Sequence, residues 1–416
     1  MSSGRTWRLP VSIAALFTAQ FATAIVPFGV GALAPFLRAE YGLQRSHVGL
    51  ATATIFLAVA VCSVPAGRVT DAIGVARALL ASCAAVALGA AGVGLLASVV
   101  PIACSLLVVG LGYSLVSPAT NSGVIAVTPT HLRGRMMGVK QMGVTAGGAV
   151  AAATLPLGVQ RMGIADTMLI TATGVALLGV VAALFVARLV PGARPARERP
   201  RPRQRPDGTV RRRVRRVGAA VGGMVAAQHV VATYLTLFLV DRRHMTVTAA
   251  AALLTLLHLS GTIARLGWGW VSDRVGSRLF TMAAIGVASI AALLALGTIG
   301  ASVPTWALVV LVIALGAATQ GGNAVYQVAI AEEDVERAGW ASGVGMAFGF
   351  TGAIIAPPAF GAIVDATDSY TLGLALAAGV VALAVATVLR LARPGGSDVV
   401  GTRPGRRSPV EARTSR

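Results

Sequence analysis

Gly269-Trp270-Val271-Ser272-Asp273-Arg274-Val275-Gly276 stands 202 residues after Gly67-Arg68-Val69-Thr70-Asp71-Ala72-Ile73-Gly74 and shares its Gly, Asp and Gly positions. The same lag carries Asn121 onto Asn323 and Arg135 onto Arg337. It also carries Gly143, Gly147 and Pro156 onto Gly345, Gly349 and Pro358. Glycine coincidences are cheap in a glycine-rich chain. Coincidences of Asp, Asn, Arg and Pro at one unchanging lag are not. The chain reads as two copies of one unit, with each octet in a break between apolar runs.

Those runs set the class. Of 416 residues, 56% are apolar or aromatic and only 12% are charged, with a mean hydropathy of +0.77. Soluble domains are roughly a quarter charged, so the polar side chains are too few to cover a globule of this size. A soluble enzyme, a nucleic-acid-binding domain and a disordered chain are all disfavoured. A membrane-crossing helix needs about 20 apolar residues. Setting aside the tails and an Arg-rich middle segment leaves about 355 residues, room for twelve helix-plus-loop units of about 30 each. The spans fall at roughly 10–36, 47–67, 77–98, 101–128, 137–159, 165–189, 218–240, 248–270, 279–300, 303–330, 338–364 and 370–391. The expected fold is an all-α polytopic membrane protein with twelve transmembrane helices in two pseudo-symmetric six-helix bundles, 1–190 and 218–393. An Arg/Pro-rich linker at 191–217 joins the bundles, and a disordered cytoplasmic tail follows at 394–416. Arg5, Arg8 and Ala22-Thr23-Ala24 mimic a cleavable leader, but the apolar run continues from Ile25 to Leu37 and reads as an uncleaved first span.

Charge orients the spans. The basic residues are 34 Arg and the single Lys140. With both termini in the cytoplasm, inner segments hold 28 Arg and outer loops hold 5, as the positive-inside rule requires of a cell-membrane protein. The net charge of +20 then reflects arginines beside anionic lipid headgroups, not nucleic acid. Trp7, Trp268, Trp270, Trp306 and Trp340 fall near span ends, where an amphipathic ring prefers the interface. Cys62, Cys83 and Cys104 lie in apolar spans and read as buried free thiols.

Both octets resemble the G-x-x-x-D-R/K-x-G loop signature of the major facilitator superfamily, the second copy more fully because Ala72 replaces the usual basic residue. The resemblance covers essentially the whole chain. It implies secondary transport by alternating access, with spans 1, 4, 7 and 10 lining a central cavity. Arg133-Gly134-Arg135, Lys140-Gln141-Met142-Gly143-Val144, Gly147-Gly148 and Gly361-Ala362-Ile363-Val364-Asp365 further resemble the cyanate, nitrate and organic-anion branches. In oxalate/formate and monocarboxylate carriers an arginine at the place of Arg265 binds the carboxylate. The second cation that dianion carriers use in span 11 has no counterpart in residues 341–364. The gating set is Gly67, Asp71, Gly74, Gly269, Asp273, Arg274 and Gly276. Independently of any family, Asp71 and Asp273 stand where one helix gives way to the next, so each could cap backbone N–H groups, meet a facing Arg, or simply decorate a turn.

None of the fifteen acids falls in a span interior; Asp166, at the start of the span 165–189, sits at its outer end. The charges within the membrane are Arg265 and Lys140, which favours an anionic substrate. Arg265 lies eight residues before Asp273, about 12 Å along a helix, and shares a face with His258, Gly261 and Thr262. It reads as a substrate anchor or as a structural arginine bonded to carbonyls of a neighbouring helix. Lys140 is five residues, about 7.5 Å, from Arg135; it either snorkels to the inner surface or senses protons. The remaining polar lining is Gln20, Tyr113, Asn121, Gln141, Gln228, Asn323 and Tyr326, each equally readable as interhelical hydrogen-bond glue. His229 and His258 are alternative proton carriers.

No phosphate loop, H-E-x-x-H or paired carboxylate suggests an enzyme, a metal or a cofactor. The leading expectation is a monomeric secondary transporter for a small organic or inorganic anion, driven by a coupled proton or an exchanged anion. Export of a neutral or hydrophobic compound, and a transporter-like membrane sensor, are the alternatives.

Overall fold

The computed structural model describes residues 8–392 apart from 97, 130–131, 191–206 and 301, and the regular elements among the described residues are all helices. Spans 1 to 4 are Arg8–Tyr41, Arg45–Ile73, Val75–Leu95 and Val99–Val127. Spans 5 and 6 are the two arms of Arg133–Leu189, which folds back at Gly163 with φ 81° and ψ 173°. A straight helix of that length would be about 85 Å long, nearly three bilayer cores. The left-handed φ that glycine tolerates divides it. Spans 7, 8 and 9 are Gly208–Arg243, Val247–Val275 and Arg278–Thr298. Span 10 is broken into Thr305–Thr319 and Asn323–Glu332, and spans 11 and 12 are Ala338–Thr367 and Tyr370–Ala392.

The repeat in the sequence is a repeat of packing. Span 1 lies on span 5, span 2 on span 4, and span 3 on span 6. In the second half span 7 lies on span 11, span 8 on span 10, and span 9 on span 12. Between the halves, span 2 meets span 11, span 5 meets span 8, and span 1 meets span 7.

Three expectations need correction. The two signature octets were read as loops, but Gly67 to Asp71 and Gly269 to Arg274 are the last turns of spans 2 and 8. Only Gly74 (φ 85°) and Gly276 (φ 67°) form the turns. Helix persists because the chain outside the apolar window still satisfies its own backbone by continuing to coil. For the same reason span 7 starts at Gly208, so residues 208–217 of the expected linker are helical; residues 191–206 and the tail 394–416 lie outside the described residues. Finally, only Cys83 is buried. Cys62 is half-buried and Cys104 is exposed, because an apolar span has a lipid-facing side as well as a packed one.

Two glycines set how closely the halves approach. A Cβ on Gly49 would stand 2.4 Å from the carbonyl oxygen of Pro357, and one on Gly31 would stand 2.0 Å from that of Ala232. Neither backbone atom can move aside cheaply. Gly49→Val should therefore part spans 2 and 11. With Cys62, Cys83 and Cys104 replaced by Ala, a Thr233→Cys probe behind this seam should react several-fold faster with a soluble maleimide when Gly49→Val is added. An unchanged rate would show that the seam tolerates the side chain.

Candidate functional site

Span 8 presents His258, Gly261, Thr262 and Arg265 to the interface between the halves, at helical spacings of three and four residues. Arg265 is 7% exposed and has no carboxylate partner among the described residues. Its Nε donates to the backbone oxygen of Gln320 at 3.2 Å, and its Nη1 to that of Gln141 at 3.0 Å. One acceptor belongs to span 10 of its own half, the other to span 5 of the opposite half. Gln320 is the residue at which span 10 breaks, so its carbonyl is among those left without an intrahelical partner. Beside this bridge the Thr262 hydroxyl donates to that of Thr145 at 2.5 Å, again from one half to the other.

Two polar groups flank the arginine. On the second-half side, Asn323 Nδ2 donates to Gln228 Oε1 at 3.0 Å, and Gln320 Nε2 donates to the Gln228 backbone oxygen at 3.5 Å. On the first-half side, Lys140 Nζ donates to the Thr120 hydroxyl at 3.0 Å, and that hydroxyl donates in turn to Gln20 Oε1 at 3.1 Å. The Tyr113 ring meets Phe28 edge-on, with the ring centroids 6.4 Å apart. An apolar layer sits beside them. Phe28 contacts His258 and His229 at ring separations of 6.1 and 6.2 Å, and Phe56 meets His229 edge-on at 4.5 Å.

Most of the predicted lining comes together here: Arg265, His258, Gln20, Tyr113, Lys140, Gln141, Gln228 and Asn323. Lys140 does not snorkel; it is 3% exposed and faces Thr120. Distance along a helix from its last arginine does not reveal which way a side chain turns, and Lys140 turns toward spans 1 and 4. Asn121, paired with Asn323 by the repeat, is exposed and makes no hydrogen bond among the described residues. Tyr326 packs in the apolar core of the second half. Two larger apolar grooves lie elsewhere: one of about 400 Å³ between spans 7, 11 and 12, and one of about 270 Å³ walled mainly by spans 1, 2 and 4. Arg265 lines neither.

The gating residues behave differently from one another. Asp273 accepts from Arg278 at 2.6 Å within its own half, and Arg278 also reaches Glu332 at 3.4 Å. Arg274 stacks on Trp270 with its Cζ 4.0 Å from the ring centroid. Neither aspartate caps the following helix. Gly74 precedes span 3 without a side-chain cap, and the Ser277 hydroxyl caps span 9. Nothing among these residues crosses between the halves.

The cross-half ion pairs are at the opposite end, and sequence reasoning missed them. Asp241 at the end of span 7 accepts from Arg45 Nε at 3.1 Å, from the Tyr370 hydroxyl at 2.8 Å and from Arg38 Nη1 at 3.4 Å. Asp365 accepts the backbone N–H groups of Arg45 and Ser46 at 3.0 and 2.8 Å, so a carboxylate of span 11 caps the N-terminus of span 2. Arg45 also pairs with Asp368 at 3.2 Å, and the Tyr234 hydroxyl donates to the Arg45 and Pro357 carbonyls. The signal available in the sequence was the placement of these acids and arginines at the same membrane face; their pairing was not visible. Among the described residues, hydrogen bonds between the halves run from this cluster down to Arg265 and stop there.

The family model of the Major Facilitator Superfamily matches residues 16–357. No curated protein matches the chain. Among solved structures the chain is similar to a bacterial homolog of the human lysosomal transporter Spinster, in an inward-facing and occupied conformation. The TM-score is 0.67 and the identity 16%, over 94% of this chain and 97% of that one.

Asp241 holds three donors from spans 1, 2 and 12, and its side chain is mostly shielded. Asp241→Asn removes the charge and keeps the shape. A charge-assisted bond is worth about 1.5–3 kcal/mol when shielded, so the substitution should favour separation at the Arg45 end by roughly 10-fold or more. Distances between spin labels on spans 2 and 11 at that end should lengthen in the population. An unchanged distance distribution would show that the cluster does not hold the halves together.

Proposed function

Because the chain belongs to the major facilitator superfamily, we propose that it is a secondary transporter that carries a small anion through the membrane by alternating access, not an enzyme. The observation that carries the anion reading is Arg265: a guanidinium with five N–H donors, two hydrogen bonds to backbone carbonyls, and no acid within reach. An unneutralised cation at that depth is costly. A bound carboxylate or oxyanion offsets the cost through the donors that remain. Lys140 adds a second cation with a hydroxyl as its hydrogen-bond partner, which also suits an anion and offers a place for a coupled proton.

The cytoplasmic side is the Asp273 end. Arginines crowd that face, as they do in inner loops, and both termini lie there. The protein is then sealed toward the outside by the Arg45–Asp241–Asp365 cluster, and the halves are free of one another at the inner signature turns. Asp71 and Asp273 are available to engage the opposite half when the molecule turns outward. The membrane is the cell membrane, the working unit a monomer, and the driving force a proton or exchanged-anion gradient.

Export of a hydrophobic compound is the second reading, favoured by the apolar groove between spans 7, 11 and 12. It makes no use of Arg265, and that separates the two. Arg265→Lys keeps the charge and loses the planar fork; Arg265→Gln loses both. Binding of small anions (lactate, formate, oxalate, nitrate, cyanate) to purified protein should weaken in the Lys variant. It should weaken further in the Gln variant, by about 2–5 kcal/mol for a desolvated pair, while folding persists because no carboxylate is orphaned. A Gln variant that misfolds while binding per folded molecule is unchanged would make Arg265 purely structural. Orientation has its own check. A cysteine placed at Gln204 in intact cells should be labelled by a membrane-permeant maleimide and spared by an impermeant one; impermeant labelling would invert the topology.

A further inference from the structure

The glutamine whose backbone holds Arg265 has an idle side-chain oxygen. Gln320 is 0% exposed. Its Nε2 donates to the Gln228 carbonyl, which fixes the amide's orientation, since only the nitrogen can donate to a carbonyl. Gln320 Oε1 is therefore a defined acceptor, and it is buried without a hydrogen-bond partner. The position of this side chain is also fixed. A Cβ built on Gly261 would stand 2.3 Å from Gln320 Cβ and 3.2 Å from its Cγ, so the glutamine lies along span 8 at Gly261, between His258 and Arg265.

The neighbours repeat the pattern. Gln141, the other residue whose backbone oxygen accepts from Arg265, also has a buried Oε1 without a partner. His258 is 0% exposed, and neither of its ring nitrogens has a partner, although in a neutral imidazole one donates and the other accepts. Buried polar atoms are almost always paired, because an unpaired one forfeits its hydration for nothing. Here the two residues whose backbones hold the cation each carry an unpaired side-chain acceptor, and the donors of that cation are partly unused. A bare anion such as nitrate, cyanate or acetate satisfies the guanidinium alone and leaves every glutamine oxygen stranded.

We propose that this site takes an oxyanion that carries its own hydrogen-bond donor: a small carboxylate with a hydroxyl or amide N–H beside the charged group, its carboxylate on Arg265 and its donor on Gln320 Oε1. The inference rests on the anion reading and narrows it. Gln320 is the specificity-determining residue, and an analogue lacking the donor should be rejected because it leaves a buried acceptor unpaired.

Glycolate and propionate test this, since they have the same number of heavy atoms and differ by a hydroxyl in place of a methyl. Binding of radiolabelled glycolate to the full-length protein in nanodiscs, competed by propionate, should show at least a tenfold preference for glycolate. Gln320→Leu should bring the two within twofold by weakening glycolate, and Gln320→Met serves the same purpose if the Leu variant does not fold. Arg265→Gln should weaken both carboxylates. Equal affinities in the wild type, with both lost in Arg265→Gln, would overturn the donor requirement and leave the anion reading standing. A preference that survives in the Gln320 variants would overturn the assignment to Gln320. Absence of binding of either acid, at concentrations that saturate ordinary carriers, would overturn the anion reading and this inference with it.

Discussion

The arrangement of the two halves turns on one guanidinium that the membrane ought to reject. Arg265 sits at a depth where charge is expensive, and no carboxylate among the described residues neutralises it. Two carbonyls provide partial compensation, one from each half. Each carbonyl is available for a structural reason. Gln320 lies at the break in span 10, where the helical ladder lapses. Gln141 faces span 8 across a seam of small and hydroxyl residues that lets the helices approach, with Thr145 on Thr262 and Thr255 near Ala149. A broken helix on one side and a close seam on the other are what keep the arginine in place, and they leave its remaining donors for a ligand.

The two long seams between the halves are built from different chemistry. Spans 2 and 11 are joined at their Arg45 ends by carboxylates and guanidiniums, and further along by the contact of Gly49 with Pro357. Spans 5 and 8 are joined without ion pairs among the described residues, from Gln160 with Thr248 at one end to Arg265 with the Gln141 carbonyl at the other. The repeat makes these seams equivalent by position, yet their side chains are not. Ion pairs near the surface exchange readily with water and are lost all at once when a seam opens. Neutral hydroxyl pairs in an apolar seam can slide and re-form.

How much of this was legible depended on what each feature leaves in the sequence. Apolar runs, the lag of 202 residues and the distribution of arginine gave twelve spans in two halves, and the packing of equivalent spans follows that division. The burial of Arg265 was legible because depth follows from counting residues to Asp273. Its partners were not, because a backbone carbonyl has no sequence signature. Lys140 was left open between two readings for a related reason: counting residues gives depth along a helix but not azimuth around it. The cluster around Arg45 joins residues far apart in the chain, 196 for Arg45 with Asp241 and 325 for Arg45 with Tyr370, and no local pattern could pair them. The repeat pairs Asn121 with Asn323 by position, yet Asn323 donates to Gln228 while Asn121 is exposed.

The bond from Arg265 to Gln141 has a consequence for coupling. It draws on the same guanidinium whose remaining donors an incoming anion would seek. An anion on those donors shares the positive charge with the Gln141 carbonyl, so what it gains is measured against a contact that ties span 5 to span 8. Binding is then no longer independent of how the halves are arranged, because a ligand that prefers one arrangement shifts the population by its differential affinity and by no more. A neutral compound in the apolar groove between spans 7, 11 and 12 touches only the second half and has no comparable hold on the interface. A cation placed across the seam, instead of deep within one half, would let occupancy by an anion be felt in how the halves are held together.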